Sequence, residues 1–438
     1  MKIVIVGASL SGLAAAVKSR QLYPESSITI IEKSSQLAAV PMALEWLFKS
    51  NEGEVPSYFD LLEQLKTLQV DYFLNHEVQS IDPAQKRLSL RGAQVSQLSY
   101  DCLIVATGST QKSHYIKGGH HPGVLLCKDD MVRLEENPLF VRAKEVALIG
   151  GGQLGLRLSE KCQSLGKHVH LFEAGEHLDF KHCDADMAAL LETSMVESGL
   201  NLYLSHRVQK IEKCHDHFLI LTKSAKRSVD VVLMCAGLRP NTHFLEDQHI
   251  LANDGTIPVN AFLETKLPQV FAVGDTIKLD FLQENDPRYL PLINTAIRTG
   301  EIAAYNLNGP RIAIEPSVKL VSGYYYGWFR TAIGMTSDEA ELFQEIAVIT
   351  YKGSLTHDRG EELRMKLIVS RETGQLLGAQ LLSAMDCSYL LQCLVQPIRL
   401  GMTDLEIAFQ DFLMTVGQTN PFYHLHKALL MSASAREV

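Results

Sequence analysis

Apolar segments that run directly into glycine-rich turns divide the chain into repeating units. Residues 2–6 are continuously apolar, the turn GASLSG follows, and a helical pattern from Leu13 to Gln21 leads to a second apolar run at 27–31. This order of strand, tight turn, helix and strand predicts a βαβ unit. The same order begins again at Val146, where the turn reads GGGQLG. Two dinucleotide-type folds are therefore predicted in one chain.

Shorter apolar segments follow each predicted βαβ unit. They predict a small β-meander in each half, with strands at 70–73, 77–81 and 87–90 and at 200–204, 208–211 and 218–221. Further strands are predicted at 101–108, 229–237 and 267–275, a helix at 292–306, a hairpin turn at 372–374, and a helix at 388–400 kinked by Pro397 in its last turn. From Pro316 the pattern becomes antiparallel and then helical. The predicted fold class is α/β, with two Rossmann-like domains and a C-terminal α+β domain.

The first glycine turn carries most of a phosphate-binding pattern. Such a turn needs a glycine for the bend, a second where backbone meets the pyrophosphate, and a third where helix and strand pack closely. Gly7, Ser9 and Gly12 occupy these places, so Ser9 departs from the pattern. Glu32 ends the next strand, where an acid binds a ribose hydroxyl. Dinucleotide binding is favoured over a plain connection between strand and helix.

The second turn matches the full pattern with Gly150, Gly152 and Gly155, and Glu173 ends its following strand. A carboxylate there repels the 2′-phosphate of NADPH, and residues 174–180 contain no arginine to bind one. The pattern therefore favours NADH. The alternative is that Glu173 is only a solvated carboxylate at the end of a strand.

Composition narrows the class of partner. Hydrophobic residues make up 46% and charged residues 21%, and 41 Lys+Arg against 50 Asp+Glu give a net charge of −9 with no basic block. Nucleic acid is therefore not expected as a partner. No apolar run of membrane-spanning length occurs, and the chain opens on a strand rather than on a signal peptide, so a cytoplasmic protein without a membrane contact is expected. The eight cysteines are scattered and predict no metal site.

These motifs, taken in order, resemble the pyridine nucleotide-disulphide oxidoreductases, and among them the NADH oxidases, NADH peroxidases and coenzyme A-disulphide reductases. The resemblance also includes IEK at 31–33, ATG at 106–108, GLRPN at 237–241, FAVGD at 271–275 and PLINTA at 291–296. It implies a discontinuous FAD-binding domain at 1–115 and 245–315, an NAD-binding domain inserted at 116–244, and a dimerisation domain at 316–438. A homodimer is expected.

The resemblance also implies which residues bind the two cofactors, FAD and NADH. For FAD they are Gly7, Ser9, Gly12, Glu32, Lys33, Val78, Ala106, Thr107, Gly108, Gly274, Asp275, Leu292, Ile293 and Asn294. For NADH they are Gly150, Gly152, Gln153, Leu154, Gly155, Glu173 and Gly237. The positive end of a helix beginning near Leu292 would then lie beside the flavin.

Two replacements separate the chain from these relatives. The relatives carry a redox cysteine ten residues after the ribose glutamate, and many of them carry a histidine in the first turn. This chain has Met42 and Leu10 at those two positions. A thioether cannot become a thiolate nucleophile, and leucine has no proton to donate. The alternative is that both side chains simply fill space beside the flavin.

Two other positions differ as well. Gln153 replaces an aromatic residue that gates the nicotinamide site in relatives, and Arg157 replaces a glutamate. Arg157 is expected either to face the flavin or to pair with a surface carboxylate. Residues 420–423 correspond to a segment that reaches the partner subunit's active site in relatives.

Three functions are compatible with this pattern. The first is an FAD-dependent NADH oxidoreductase that passes electrons directly to oxygen or to another small-molecule or protein acceptor without a cysteine. The second is a specialised flavoenzyme with a dedicated substrate, which would use the space opened by Leu10, Met42 and Gln153. The third is a catalytically inactive regulatory protein that binds FAD and NADH. Intact cofactor motifs favour the first.

Overall fold

The computed structural model describes residues 1–35, 37, 61, 64–65, 67–126, 134, 137–282, 287–355, 362–412 and 420–436. In chain order the described strands are β1 Lys2–Val6, β2 Ser27–Ile31, β3 Asp71–Phe73, β4 Glu77–Asp82, β5 Arg87–Arg91, β6 Gln97–Ser99, β7 Cys102–Val105, β8 Ser109–Gln111, β9 Val124–Leu126, β10 Glu145–Ile149, β11 His168–Phe172, β12 Asn201–Tyr203, β13 Lys210–Cys214, β14 His217–Leu221, β15 Lys226–Val229, β16 Val231–Met234, β17 Leu238–Pro240, β18 Val270–Ala272, β19 Leu320–Tyr325, β20 Trp328–Gly334, β21 Ile346–Ser354, β22 Glu362–Ser370 and β23 Leu376–Ser383.

The described α-helices are α1 Leu10–Leu22, α2 Pro138–Arg142, α3 Gln153–Ser164, α4 Ala185–Glu197, α5 Ile293–Asn306, α6 Ser337–Glu341, α7 Ser388–Gln392, α8 Val395–Arg399, α9 Asp404–Ala408 and α10 Pro421–Arg436. Short 3₁₀ turns include His243–Gln248 and Gly274–Thr276. Within the described ranges, no helix has the length and apolar character needed to cross a membrane.

Two parallel sheets of five strands form the centres of the two predicted βαβ units. The first has the order β18-β7-β1-β2-β3 and the second the order β12-β11-β10-β16-β9. Their central strands, such as β7 with the sequence CLIV and β16 with VVLM, are buried along their whole length. Continuous apolar strands are expected where a parallel sheet is covered on both faces. The predicted α/β class with two Rossmann-like units is confirmed.

Each predicted meander begins one strand too early and lacks the last strand of the antiparallel sheet. Residues 71–73 and 201–203 pair parallel to β2 and β11 and so extend the two large sheets. The second of these strands follows the helix α4, and a strand that returns from a helical crossover pairs parallel to its predecessor. The true meanders are the antiparallel sheets β4-β5-β6 and β13-β14-β15.

The two connections between the large sheets lie side by side. Strand β8 leads out of the first unit and β17 leads back, and they pair antiparallel through Ser109 with Pro240 and Gln111 with Leu238. After this return the chain adds β18 to the first sheet, beside β7. The predicted domain limits, 1–115 with 245–315, then 116–244 and 316–438, stay a prediction.

The C-terminal sheet is antiparallel, in the order β19-β20-β23-β22-β21. The predicted hairpin at 372–374 connects β22 to β23, and Gly374 there has a φ of +74°. The single helix predicted at 388–400 is wrong, because the chain forms α7 and α8 with a break between them. Pro397 has no N–H to donate and its ring would clash with the carbonyl of Cys393, so the helix breaks before the proline rather than bending after it.

A buried carboxylate attaches the last helix to this C-terminal region. Asp404 has no exposed surface and accepts hydrogen bonds from the Ser432 hydroxyl at 2.7 Å and from Nη2 and Nε of Arg436 at 2.6 and 3.0 Å. Thr403 caps the helix α9 that begins at Asp404. One side chain therefore joins the start of α9 to the end of α10.

Candidate nucleotide-binding sites

In the first glycine turn, two positions leave no room for a side chain. A Cβ on Gly7 would lie 2.2 Å from the carbonyl oxygen of Ala106, and the φ of Gly7 is +107°. A Cβ on Gly12 would lie 1.9 Å from the carbonyl oxygen of Gly7. Ser9 is the N-cap of α1, but its side chain makes no capping hydrogen bond and the first turn holds no acid. The positive end of α1 is therefore available to an anion.

Glu32 closes this turn from the next strand. Its carboxylate accepts hydrogen bonds from the amides of Ala8 and Ser34, both at 2.8 Å. A carboxylate has about four acceptor positions, so a ribose hydroxyl can still bind. A cavity of about 430 Å³ lies beside it, lined by Lys33, Ser34, Asn75, Glu77, Arg91 and Gly92. Val78 was also predicted to bind FAD, and its side chain is buried in the hydrophobic core.

The ATG segment lies against the returning connection between the sheets. Ala106 is buried behind Gly7, and the Thr107 hydroxyl donates to the carbonyl of Asn241 at 2.6 Å. The Asn241 side chain donates to the carbonyl of Thr107 at 3.0 Å, and its amide donates to the carbonyl of Gly108 at 2.9 Å. Asn241 was not predicted as a site residue, although it ends the GLRPN motif.

The Gly274–Asp275 turn and the start of α5 complete the first site. Asp275 accepts a hydrogen bond from the Ser109 hydroxyl at 2.8 Å. Gly274 has a φ of +64°, and a Cβ there would lie 2.7 Å from the hydroxyl of Ser11 on α1. Leu292 is the N-cap of α5 and makes no side-chain cap, while Asn294 accepts from the amide of Thr295.

Leu10 faces this second helix. It is buried with Ala296 and packs against Ile293 and Ile297, all on the first turns of α5. Farther along, a Cβ on Gly300 would lie 2.2 Å from the carbonyl oxygen of Ser11, so the two helices pack closely. The structure therefore brings the uncapped starts of α1 and α5, the Gly274 turn and Leu10 together. The small residues that permit this, Ser11 and Gly300, were not predicted.

The second turn repeats the construction of the first. Gly150 has a φ of +111°, and a Cβ on Gly155 would lie 1.9 Å from the carbonyl oxygen of Gly150. Gly152 is the N-cap of α3, is exposed, and has no atom within 4 Å of where its Cβ would lie. The close contacts at Gly155 are internal to the fold, whereas the space at Gly152 is open to a ligand.

Glu173 holds the second turn as Glu32 holds the first. It is buried and accepts from the amide of Gly151 at 2.6 Å and from that of Gly175 at 2.7 Å. It is therefore part of the turn rather than a solvated carboxylate. Gly237 has a φ of +63°, and its carbonyl accepts from the amide of Lys112 at 3.1 Å.

The remaining predicted residues lie on α3. Gln153 and Leu154 begin the helix and are half-buried. The guanidinium of Arg157 lies 5.5 Å from the centre of the Tyr325 ring, on β19 of the C-terminal sheet. This is a cation–π distance, and the contact could not be predicted from the sequence because Tyr325 is remote along the chain.

Met42 and residues 38–44 around it lie outside the described residues, so the position expected for a redox cysteine stays a prediction. Cys102 begins β7 opposite Ile3, at the amino end of the sheet, whereas the glycine turn follows the carboxyl end. Burial raises the pKa of the Cys102 thiol to about 11. Residues 421–423 begin α10.

Two turns of one design, each with an uncapped helix start and a strand-end carboxylate, are typical of a protein that binds two dinucleotides. This class is typical of redox enzymes that pair a nicotinamide with a flavin. The family model of the pyridine nucleotide-disulphide oxidoreductases matches residues 1–300, and the chain belongs to that family. The predictions of the family, of an oxidoreductase, and of FAD and a pyridine nucleotide as its cofactors are thereby confirmed.

Individual relatives agree along the whole chain. An NADH oxidase of Enterococcus faecalis is 27% identical over 97% of this chain and 98% of its own length. A solved pyridine nucleotide-disulfide family oxidoreductase from Enterococcus faecalis V583 has a TM-score of 0.87 at 28% identity and full coverage of both chains. A water-forming NADH oxidase from Lactobacillus brevis, solved with NADH, has a TM-score of 0.86 at 23% identity, covers 100% of this chain and 99% of its own, and supports the fold.

Gly152→Ala tests the open position in the second turn. The added methyl group meets no protein atom, so the melting temperature is expected to stay at the wild-type value. It would occupy the space next to the helix start, and we expect the KM for the pyridine nucleotide to rise about tenfold.

Gly155→Ala is the matched variant. Its methyl group would collide with the carbonyl of Gly150, so thermal stability should fall markedly. Equal nucleotide affinity in Gly152→Ala and wild type would contradict the assignment of this turn.

Proposed function

We propose that the chain is an FAD-dependent NADH oxidoreductase that passes electrons to oxygen, or to another small or protein acceptor, without a redox-active cysteine. The observation that carries this proposal is that the same arrangement of glycine turn, uncapped helix start and strand-end glutamate occurs twice in the chain. Glu32 and Glu173 each accept from the backbone of a glycine turn whose helix start is uncapped. One chain therefore offers two sites that match dinucleotides.

The first site fits FAD. The amides at the start of α1, after Gly7, would hold its pyrophosphate, and Glu32 would bind a ribose hydroxyl. Asp275 and the uncapped start of α5 lie where the remainder of the cofactor would extend. When bound, FAD supplies a carrier that takes a hydride from NADH and returns two electrons to an acceptor.

The second site fits NADH. The open space at Gly152 and the free start of α3 would bind the pyrophosphate. Glu173 would bind a hydroxyl of the adenosine ribose, and its carboxylate already accepts hydrogen bonds from the amides of Gly151 and Gly175. A fixed negative charge there disfavours an additional phosphate.

Three observations support the absence of thiol chemistry. Leu10 presents an apolar, buried side chain where relatives have histidine. Met42 occupies the sequence position of the redox cysteine. Cys102, the cysteine nearest to Met42 in sequence, belongs to the opposite end of a strand and has a raised pKa. With oxygen as acceptor, NADH and a proton then give NAD⁺ and hydrogen peroxide.

The preference for NADH can be measured directly. We expect kcat/KM for NADH to exceed that for NADPH by about tenfold or more, because Glu173 repels the 2′-phosphate. Glu173→Gln removes the charge and should lower the ratio of kcat/KM for NADH to kcat/KM for NADPH. Glu176→Gln, on the same loop, is the control and should leave the ratio unchanged. Comparable wild-type rates with both nucleotides would contradict the assignment.

The oxidative reaction distinguishes this chain from thiol-dependent relatives. We expect hydrogen peroxide in amounts close to the NADH consumed, and turnover that survives thiol alkylation. Cys235 lies next to the second turn, 3.6 Å from where a Cβ on Gly155 would lie, so alkylation is best performed on Cys235→Ala. Rapid peroxide or disulfide reduction that alkylation abolishes would refute the thiol-free reaction.

A homodimer is proposed for the same protein. Large apolar side chains of the C-terminal region are exposed, including Leu400 and Phe409 at 73% each and Tyr423 at 41%. Light scattering at micromolar concentration should give twice the mass of one chain, and Phe409→Glu should weaken the association. A monomeric wild type would exclude this prediction.

A further inference from the structure

The loop that follows Glu173 reaches back to the second glycine turn. Asp179 has a φ of +49°, and its amide donates to the carbonyl of Gly151 at 3.0 Å. The amide of the same Gly151 donates to Glu173. Both polar backbone groups of Gly151 are therefore held, one by the acid at the end of the strand and one by Asp179.

The Asp179 side chain is itself almost fully buried. It accepts a hydrogen bond from Nδ1 of His182 at 2.8 Å and forms an ion pair with Arg330. Burial lowers the pKa of His182 to about 3, so the ring is neutral at neutral pH and adds a hydrogen bond without a charge. Among the described residues, Arg330 is thus the cation that compensates Asp179.

Arg330 comes from a different part of the fold. It lies on β20 of the C-terminal sheet with 2% of its surface exposed, and within the described part of the chain its Nη1 has no hydrogen-bond acceptor. Burial lowers the pKa of Arg330 to about 9, which leaves it charged at neutral pH. Replacing a buried ion pair by apolar side chains is often neutral or stabilising. Stability alone therefore does not explain why a charged arginine is buried at position 330.

A second ion pair across the same interface serves as a comparison. Lys366, on β22, pairs with Asp184 and Asp186 at 2.7 Å each. Asp184 is the N-cap of α4; its amide donates to the side chain of Gln380, and its carboxylate accepts a hydrogen bond from the amide of Ser337. Lys366 therefore joins the same two regions through residues that do not hold the Gly151 backbone.

We propose that Arg330 is a positioning residue for the pyridine nucleotide: by holding Asp179, it fixes the carbonyl of Gly151 and hence the shape of the Gly150–Gly155 turn. This inference rests on the proposed function of that turn. It assigns to the C-terminal sheet, which lies outside both βαβ units, a part in binding NADH.

Steady-state kinetics of the FAD-loaded protein, with ferricyanide as an artificial acceptor, test this role. Arg330→Met is expected to raise the KM for NADH about tenfold while kcat stays within about twofold, because a preorganised turn is lost. Arg330→Lys keeps the charge and should recover most of the affinity. Lys366→Met is the control, and it should lower the melting temperature without changing the KM.

Arg330→Met leaves the Asp179 carboxylate buried without a cation, so the double variant Asp179→Asn/Arg330→Met provides a version without buried charge. It should fold, retain FAD and show the same rise in KM. A wild-type KM in this variant, or an equal rise in Lys366→Met, would overturn the inference. A wild type that fails to oxidise NADH would instead refute the proposed function, and the inference with it.

Discussion

The close approach of a helix to the turn before it is the constraint on which both candidate nucleotide sites depend. Gly12 and Gly155 lie so near to the carbonyl oxygens of Gly7 and Gly150 that a Cβ would be only 1.9 Å away from each. Because the helices approach this closely, their uncapped amides converge on one point beyond the strand. The strand-end glutamates Glu32 and Glu173 then hold the two turns by accepting hydrogen bonds from their backbone amides. The shape of each candidate site is thus set by backbone geometry.

A second level of organisation lies between the nucleotide unit and the C-terminal sheet. Acids of the segment 179–186 face cations of the sheet, and Arg157 packs on Tyr325 from the helix α3. Trp328 adds a hydrogen bond to Ser194 on α4. These contacts arise between segments far apart in sequence, so the helix that starts at the second turn and the loop beside it are both held from outside their own unit.

The sequence predicted features that depend on residues close together along the chain, and it did not reveal contacts between residues that are far apart along it. The glycine turns, the strand-end acids and the parallel strands are local patterns, and they predicted the α/β class and the two units. Residues 71–73 and 201–203 were misassigned because a short apolar run does not reveal its partner strand. The break before Pro397 depended on one missing N–H. Arg157, Asn241 and Arg330 contact residues remote along the chain, and no periodic pattern in one sequence reveals such contacts.

The pairing of β8 with β17 has a consequence for the history of the fold. Where the chain leaves the first sheet and where it returns, the two strands are hydrogen-bonded neighbours, as Ser109 opposite Pro240 illustrates. A segment whose two ends lie together can be gained, lost or exchanged by recombination without displacing the framework around it. The second βαβ unit therefore has the form of a segment inserted into the first. Duplication of an ancestral βαβ gene, followed by insertion of one copy into the other, would produce the repeated turn design of this chain.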